Sequence, residues 1–520
     1  MFWDHDVQWA INIIGAKELD FRFSVLQSST GYRHFGEGIS HLTKVTGKTQ
    51  RDVQRHLIAV IAGAAPPRIV LAMCSLLDFR YLAQAPELND DDCATLLASL
   101  QAFHDSKASI ITAGGRKGKK DVIDNWYIPK LELLQSVIPS IQISGAPAQW
   151  MANVTEHAHI VVIKNPACRS NNVDVDPQIC CQLDRLEKCS RFELATSLRE
   201  VQNSSPDEDD DAHLFQSVAK LGQPKRSPTN YFTKAQELVA SRGSVPIPHR
   251  TFVVCNTAIS VIRDPKINCA PINDIATSYN IPGLRGAIGD YLQREAQRLP
   301  HQVAGQCHST NTCYIPFSHL AVWHTVRLQQ RPFHPGGDLD SAQTINATPP
   351  STTWRYGRHD AVLFNVDPTE EWPQSGLEGN YIIRTSSLVD NITSTGHCVG
   401  EIQLIFRPVP PYGQRSRWHD RFLAYIRRFD IVPQRGNECD PVTSMHVLRR
   451  AKRASGEYLG DVIPLSQLRA PVDLVPQFGK TANKRLSSTN CIALSEEFWL
   501  NKYWNKELFY ALNRPCSTDS

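Results

Sequence analysis

At 520 residues, with 41% of them hydrophobic, the chain is long enough for two or three packed domains and too long for one. A formal net charge of +3 hides local basic clusters, so overall charge neither requires nor excludes a polyanionic partner. The opening Met1-Phe2-Trp3-Asp4-His5-Asp6 carries acids where a secretion signal needs a basic and then an apolar run, so no secretion is expected.

The first 200 or so residues read as mainly helical. Segments 50–64, 69–84, 91–106 and 178–201 repeat apolar residues at three- and four-residue spacing, as in Leu183, Leu186, Leu194 and Leu198. The longest apolar stretch, Leu57 to Phe79, is broken by Pro66-Pro67-Arg68 and predicts two buried helices, not a membrane span. Between helices lies Gly114-Gly115-Arg116-Lys117-Gly118-Lys119-Lys120, a glycine-rich basic loop. Such loops suit phosphate backbones, because each lysine or arginine that replaces a condensed counterion adds salt-dependent affinity; a solvated surface loop has the same composition. Asp4 and Asp6 are expected to be capping or surface acids at the start of a helix over Val7 to Ile14.

The stretch Gln149-Trp150-Met151-Ala152-Asn153-Val154-Thr155-Glu156-His157-Ala158-His159-Ile160 places one carboxylate beside two histidines and near a tryptophan. His157, His159, Cys168, Cys180, Cys181 and Cys189 are close in sequence, but without the paired short spacing of a zinc finger or ribbon. The fourteen cysteines have no framework spacing, which suits a reducing cytoplasm or nucleus.

Residues 203–230 mark a boundary. Asn203-Ser204-Ser205-Pro206 runs into Asp207-Glu208-Asp209-Asp210-Asp211, a composition too polar to bury a core, and this is read as a disordered linker after a helical region 1–202. A small helical region is expected over 231–310, with its best helices at Ile272 to Tyr279 and Pro282 to Gln297. From about 315 the period changes to two, at Ala321 to Leu328, Ala361 to Val366, Glu401 to Phe406 and Phe422 to Ile426. With turn-rich connections such as Gly336-Gly337 and Pro408 to Pro411, these predict a mostly antiparallel β domain over 315–515. A closing helix is expected at Glu496 to Leu512, where Phe498, Trp499, Tyr503, Trp504, Phe509 and Tyr510 read as core and not as a base-stacking platform. The fold class is thus α+β. A second basic cluster, Arg449-Arg450-Ala451-Lys452-Arg453, lies within the β region.

Several long, uncommon strings resemble one family. They include Leu19-Asp20-Phe21-Arg22-Phe23-Ser24, Gly31-Tyr32-Arg33-His34-Phe35, Asp124-Asn125-Trp126-Tyr127-Ile128-Pro129-Lys130-Leu131-Glu132, Thr155 to His159, Phe429-Asp430-Ile431-Val432-Pro433 and Glu497-Phe498-Trp499-Leu500-Asn501-Lys502-Tyr503. Together they are similar to the C-terminal half of Plavaka-type transposases, a fungal branch of the cut-and-paste DNA transposases related to the CACTA group.

The resemblance implies an RNase H-like enzyme in which two Asp and one Glu hold two magnesium ions for in-line phosphoryl displacement, with a helical insertion before the Glu. It assigns residues 1–140 to that insertion and Glu156 to the third carboxylate, with Trp150, His157, His159, Lys164 and Asn171 near the site. It implies also that the first two catalytic Asp precede the segment matching Met1 to Asp6, so that the chain is a truncated fragment, catalytically inactive alone. DNA contact is expected at Arg116, Lys117, Lys119, Lys120, Arg449, Arg450, Lys452 and Arg453, with DNA or a full-length transposase subunit as partner. No membrane partner and no small-molecule substrate is evident, and the location is nuclear or cytoplasmic. A host-retained protein-interaction module without a DNA role is the alternative. Residues 380–396 interrupt an otherwise continuous family-like string and are read as a retained intron, or else as a long hairpin loop.

Overall fold

Helices form where the three- and four-residue spacing predicts them, over Gly47–Ile61, Pro67–Leu82 and Asp90–Ser106. Their ends are chemically specified. The Thr46 hydroxyl accepts from the Thr49 N–H at 3.2 Å, Pro67 occupies a first-turn position where no N–H is needed, and Asn89 with Asp92 forms a reciprocal capping box. Pro67–Leu82 is apolar nearly all round, with Ile69, Val70, Met73, Leu76, Leu77 and Phe79 buried, as befits a helix at the centre of a core.

The computed structural model describes residues 2–118, 121–203, 228–241, 248–297, 314–365, 372, 377, 397–410, 420–434 and 437–513. The interruption at 380–396 lies outside the described residues, as does 204–227 of the linker. The chain divides into two units, one of Met1–Gln142 with Asn230–Ser520 and one of Ile143–Thr229. The stretch 1–202, expected as one helical region, is therefore split, and residues 1–142 belong with the strands. The reason is a shared core, in which Leu57, Met73, Leu77 and Tyr81 pack in one cluster with Met445, Val447, Val475, Tyr503 and Phe509.

The strands are β1 (Thr251–Val254), β2 (Thr257–Val261), β3 (Ile267–Pro271), β4 (His319–Trp323), β5 (Thr325–Gln330), β6 (Gln343–Thr348), β7 (Arg358–His359), β8 (Ala361–Phe364), β9 (Cys398–Val409), β10 (Leu423–Ile431), β11 (Val447–Arg450), β12 (Gly460–Pro464), β13 (Leu468–Val472), β14 (Leu474–Pro476) and β15 (Glu497–Leu500). One sheet runs β1-β2-β5-β6-β7; the other runs β13-β8-β9-β10-β11-β15-β14, with β12 also on β10 and β3 and β4 leading to β9. All these ladders are antiparallel, and the fold is α+β.

Three expectations change. The region 231–310 is not simply helical, since it also supplies β1, β2 and β3. These strands are four or five residues long, and β2 is buried at every position, so no alternation marks it. The run from Ala321 to Leu328 is two strands, because the chain passes at His324 from the larger sheet, where β4 pairs with β9, to the smaller, where β5 pairs with β2 and β6. The closing helix starts only at Lys506, because Glu497–Leu500 forms β15 between β11 and β14.

The central strand β9 is buried along both faces. Ile402 and Ile405 join one apolar cluster, whereas Leu404 and Phe406 join another with the helices Ile272–Ser278 and Leu284–Gln297. Asp6, expected at the surface, is 3% exposed and accepts a hydrogen bond from Arg80, while Asp4 is exposed. Burial raises the Asp6 pKa, against the opposing pull of the Arg80 guanidinium.

The second unit is described by its helices, Pro147–Trp150, Asn153–Ala158, Asn165–Cys168 and Val175–Asn203, with a π-helical turn at His159–Lys164. The long helix confirms the predicted 178–201 spacing and exposes Leu186, Phe192 and Leu198.

Candidate nucleic-acid interface

The hairpin after β11 is set by turn chemistry. Gly456, at φ +86°, donates its N–H to the Arg453 carbonyl at 2.9 Å, and the Arg453 N–H donates to the Glu457 carbonyl at 2.8 Å. A residue with a side chain is strained at that φ, and glycine is not. The turn makes Lys452 and Tyr458 bridge partners and places the Lys452 ammonium 5.6 Å from the Tyr458 ring centroid.

Arg427 reaches the same ring from β10. The register pairs Arg427 with Gly460, two residues past Tyr458 and therefore on the same face, and the guanidinium lies 5.4 Å from the ring centroid. It also donates to the Asn280 carbonyl at 3.3 Å. Tyr458 is 43% exposed and Lys452 is exposed. The buried Arg450 guanidinium also lies 6.0 Å from that centroid, and an accessible ring beside these cations offers phosphate neutralisation and a flat apolar surface together.

The predicted basic residues divide by burial. Lys452 faces solvent and Arg453 is half-buried. Arg449 is exposed but paired with Glu497. Arg450 is 7% exposed and cannot reach a phosphate in this fold, which corrects the expectation. Its guanidinium donates to the Ile492 carbonyl at 2.6 Å and the Ser495 carbonyl at 3.0 Å, lies 3.6 Å from the Glu401 carboxylate, and covers the Phe498 ring at 5.1 Å. A buried arginine so bonded is a core residue.

Arg116 is corrected in the same way. It is 6% exposed, with its guanidinium 4.9 Å from the Trp126 centroid. Lys117 is exposed in the turn where the Gly118 N–H donates to the Asp121 carbonyl at 2.8 Å, while Lys119 and Lys120 lie outside the described residues. Sequence reasoning missed Arg427 and Tyr458. The dipeptide Ser455-Gly456 between Lys452 and Tyr458 was a usable hairpin signal; the approach of Arg427 needed the β10–β12 register.

In the second unit, Glu156 is exposed in the first turn of Asn153–Ala158 and its N–H donates to the Ala152 carbonyl at 2.8 Å. Trp150 is partly exposed and its indole donates to the Gly145 carbonyl at 2.9 Å. His159 and Lys164 are exposed within the π-helical turn, and the side chain of His157 lies outside the described residues. The Asn171 side chain accepts from the Gln178 amide at 2.6 Å and from the Val173 N–H at 3.0 Å. Among the described residues no three His, Cys, Asp or Glu come together to hold a metal ion. Two adjacent magnesium ions need several hard oxygen donors, and of the three carboxylates that the resemblance implies it assigns only Glu156 to this chain.

Between Tyr32, Gln343, His359, Asp360, Glu401 and Trp504 lies a cavity of about 40 Å³, the scale of a few water molecules. Burial pushes the pKa of His359 down to about 4, outweighing the Glu401 carboxylate that raises it, so the ring is neutral. Asp360 is raised by burial, against the Arg358 charge and hydrogen bonds from Asn346 and Gln27.

No helix among the described residues is long and apolar enough to cross a membrane. Residues 232–448 match a family described as a domain of unknown function, DUF6830. The match spans β1 to β10 and ends within β11, so it includes Arg427 and stops short of Lys452 and Tyr458. No curated protein matches the chain, and no solved structure matches it.

Proposed function

We propose that the protein is transposon-derived, similar to the C-terminal half of a Plavaka-type transposase, and that it acts in the nucleus as a DNA-binding protein. The observation that carries the DNA reading is the convergence of Lys452 and Arg427 on the exposed ring of Tyr458. Lys117 adds a second exposed cation, in the glycine-rich basic loop. Sequence-independent contact with a phosphate backbone needs only accessible cations on a rigid support, and the bridge at Lys452 with the strand β10 under Arg427 supplies that here. Glu156 is proposed as the descendant of the third carboxylate, and a full-length transposase subunit as the source of further carboxylates in an assembled complex.

The test is the affinity of the purified chain for a duplex oligonucleotide across a salt series. Binding that weakens with salt supports the reading. Lys452→Ala and Arg427→Ala each reduce the log–log salt slope by about one, uniformly across DNA sequences. A chain without salt-sensitive affinity overturns the reading and leaves the host-retained interaction module.

A further inference from the structure

The hairpin from Cys439 to His446 brings a thiol to an imidazole. The two residues are antiparallel bridge partners, and the Asp440 N–H donates to the Met445 carbonyl at 2.9 Å. The loop is tied by the Asp440 carboxylate, which accepts from the Val442 N–H at 3.1 Å, the Thr443 N–H at 2.8 Å and the Thr443 hydroxyl at 2.9 Å, while Ser444 takes a left-handed φ of 53°. Held in this way, the Cys439 Sγ lies 3.3 Å from the His446 Nε2. A bridge pair so tied keeps its two side chains on one face with their Cβ atoms close, which puts the sulfur within reach of the ring.

The surroundings suit proton transfer from that sulfur. Cys439 is half-buried and reachable from solvent, whereas His446 is 7% exposed. Burial, aided by the Lys502 charge, pushes the His446 pKa down to about 4, which keeps the ring neutral beside the sulfur and works against a lasting imidazolium, so His446 relays a proton and does not hold it. The Lys502 ammonium is 1% exposed and 3.0 Å from Asp78. Burial works against its charge, and Asp78, with contributions from Cys74 and Cys439, holds it protonated. The Lys502 charge is felt at Cys439 and favours a thiolate there, whereas at Cys74 the Asp78 carboxylate outweighs it. Cys74 belongs to the same network, with its Sγ 3.0 Å from the Tyr503 hydroxyl, but it is buried, and desolvation pushes its thiol up to about 12. One thiol of the cluster is thus reachable and paired with a base, and the other is shut in.

We propose that Cys439 is a peroxide-reactive thiol, with His446 as its base and a small hydroperoxide as its substrate. The sulfur attacks one peroxide oxygen, an S–O bond forms and the O–O bond breaks. Sulfur is oxidised by two electrons to the sulfenic acid, and the peroxide is reduced. The thiol proton passes through His446 to the departing oxygen, which leaves as water or an alcohol.

The experiment treats the reduced full chain with hydrogen peroxide, traps sulfenic acid with dimedone and quantifies each cysteine by mass spectrometry. Cys439 is expected to be trapped at least about tenfold faster than the exposed Cys269 and Cys168. His446→Gln is expected to bring Cys439 down to the rate of Cys269, with Cys74 still protected as the sign of an intact core. Equal rates for Cys439 and Cys269 in the unaltered chain overturn the proposal, whatever the variant does. A His446→Gln chain that keeps the fast rate with Cys74 protected overturns it as well.

Discussion

The Tyr81 hydroxyl donates to the Tyr503 carbonyl at 2.7 Å across 422 residues of sequence. Tyr510 closes the contact from the other side by donating its hydroxyl to the Tyr81 carbonyl at 3.1 Å, and the Tyr81 and Phe509 rings lie 4.8 Å apart. These bonds join the helix Pro67–Leu82 to the turn after β15 and to the closing helix Lys506–Leu512. Tyr81→Phe keeps the ring and removes only the donor, so the expected loss is about 1–2 kcal/mol of unfolding free energy. A urea midpoint unchanged from that of the unaltered chain would show the bond to be dispensable.

Arg450 and Lys452 are two residues apart and should behave oppositely. Removing the Arg450 side chain leaves Glu401 and the Ile492 and Ser495 carbonyls without their buried partner, a loss of about 3 kcal/mol or more. Lys452→Ala removes an exposed cation and should change stability by less than about 0.5 kcal/mol. Chemical denaturation paired with DNA titration separates them. A destabilised but folded Arg450 variant should bind DNA as the unaltered chain does, whereas Lys452→Ala should not.

His359 and His446 predict a signed dependence on acidity. Both have folded pKa values lowered to about 4 from 6.5, so between those values the unfolded chain binds more protons. Each therefore lowers stability as pH falls from 6.5 toward 4, by up to about 1.4 kcal/mol per pH unit. The buried carboxyls of Asp360 and Asp461, raised by burial, act in the opposite sense above their ordinary range. The contribution is best read as a difference. The denaturation midpoint of His359→Gln should fall less steeply than that of the unaltered chain between pH 6.5 and 5, and parallel curves would show that His359 contributes nothing to the acid sensitivity.

The capping box at Asn89 offers a local test. Its side chain accepts from the Asp92 N–H at 2.8 Å, and Asp92 returns the bond at 3.0 Å. Asn89→Ala should cost about 1 kcal/mol, while Asn89→Gly should cost only a few tenths. Equal losses for the two variants in thermal unfolding would show that the side-chain bond contributes little.

Much of the helical part is legible in the chain. Leu57, Leu76 and Leu100 sit at the spacings that predict their helices, and all are buried. The terminal aromatics Phe498, Trp499, Tyr503, Trp504, Phe509 and Tyr510 are buried as the reading of them as core required. The strands are less legible where both faces are buried, as in β2, which lacks the alternation that marks a half-exposed strand. The candidate site was half legible. Lys452 lay in a visible cluster, but the cluster itself does not tell Lys452 from Arg450.

Local sequence determined where the helices Gly47–Ile61, Pro67–Leu82 and Asp90–Ser106 start and stop, and the turn at Gly456. Caps, turns and periodicity depend on neighbours a few residues away, so the chain carries them locally. Only the tertiary structure decided that residues 1–142 share a core with the final strands, that His324 is where the chain changes sheets, and which cations meet water. The energy of a charge depends on what replaces its water. For Arg450 the replacements are Glu401, Ile492 and Ser495, at least 42 residues away.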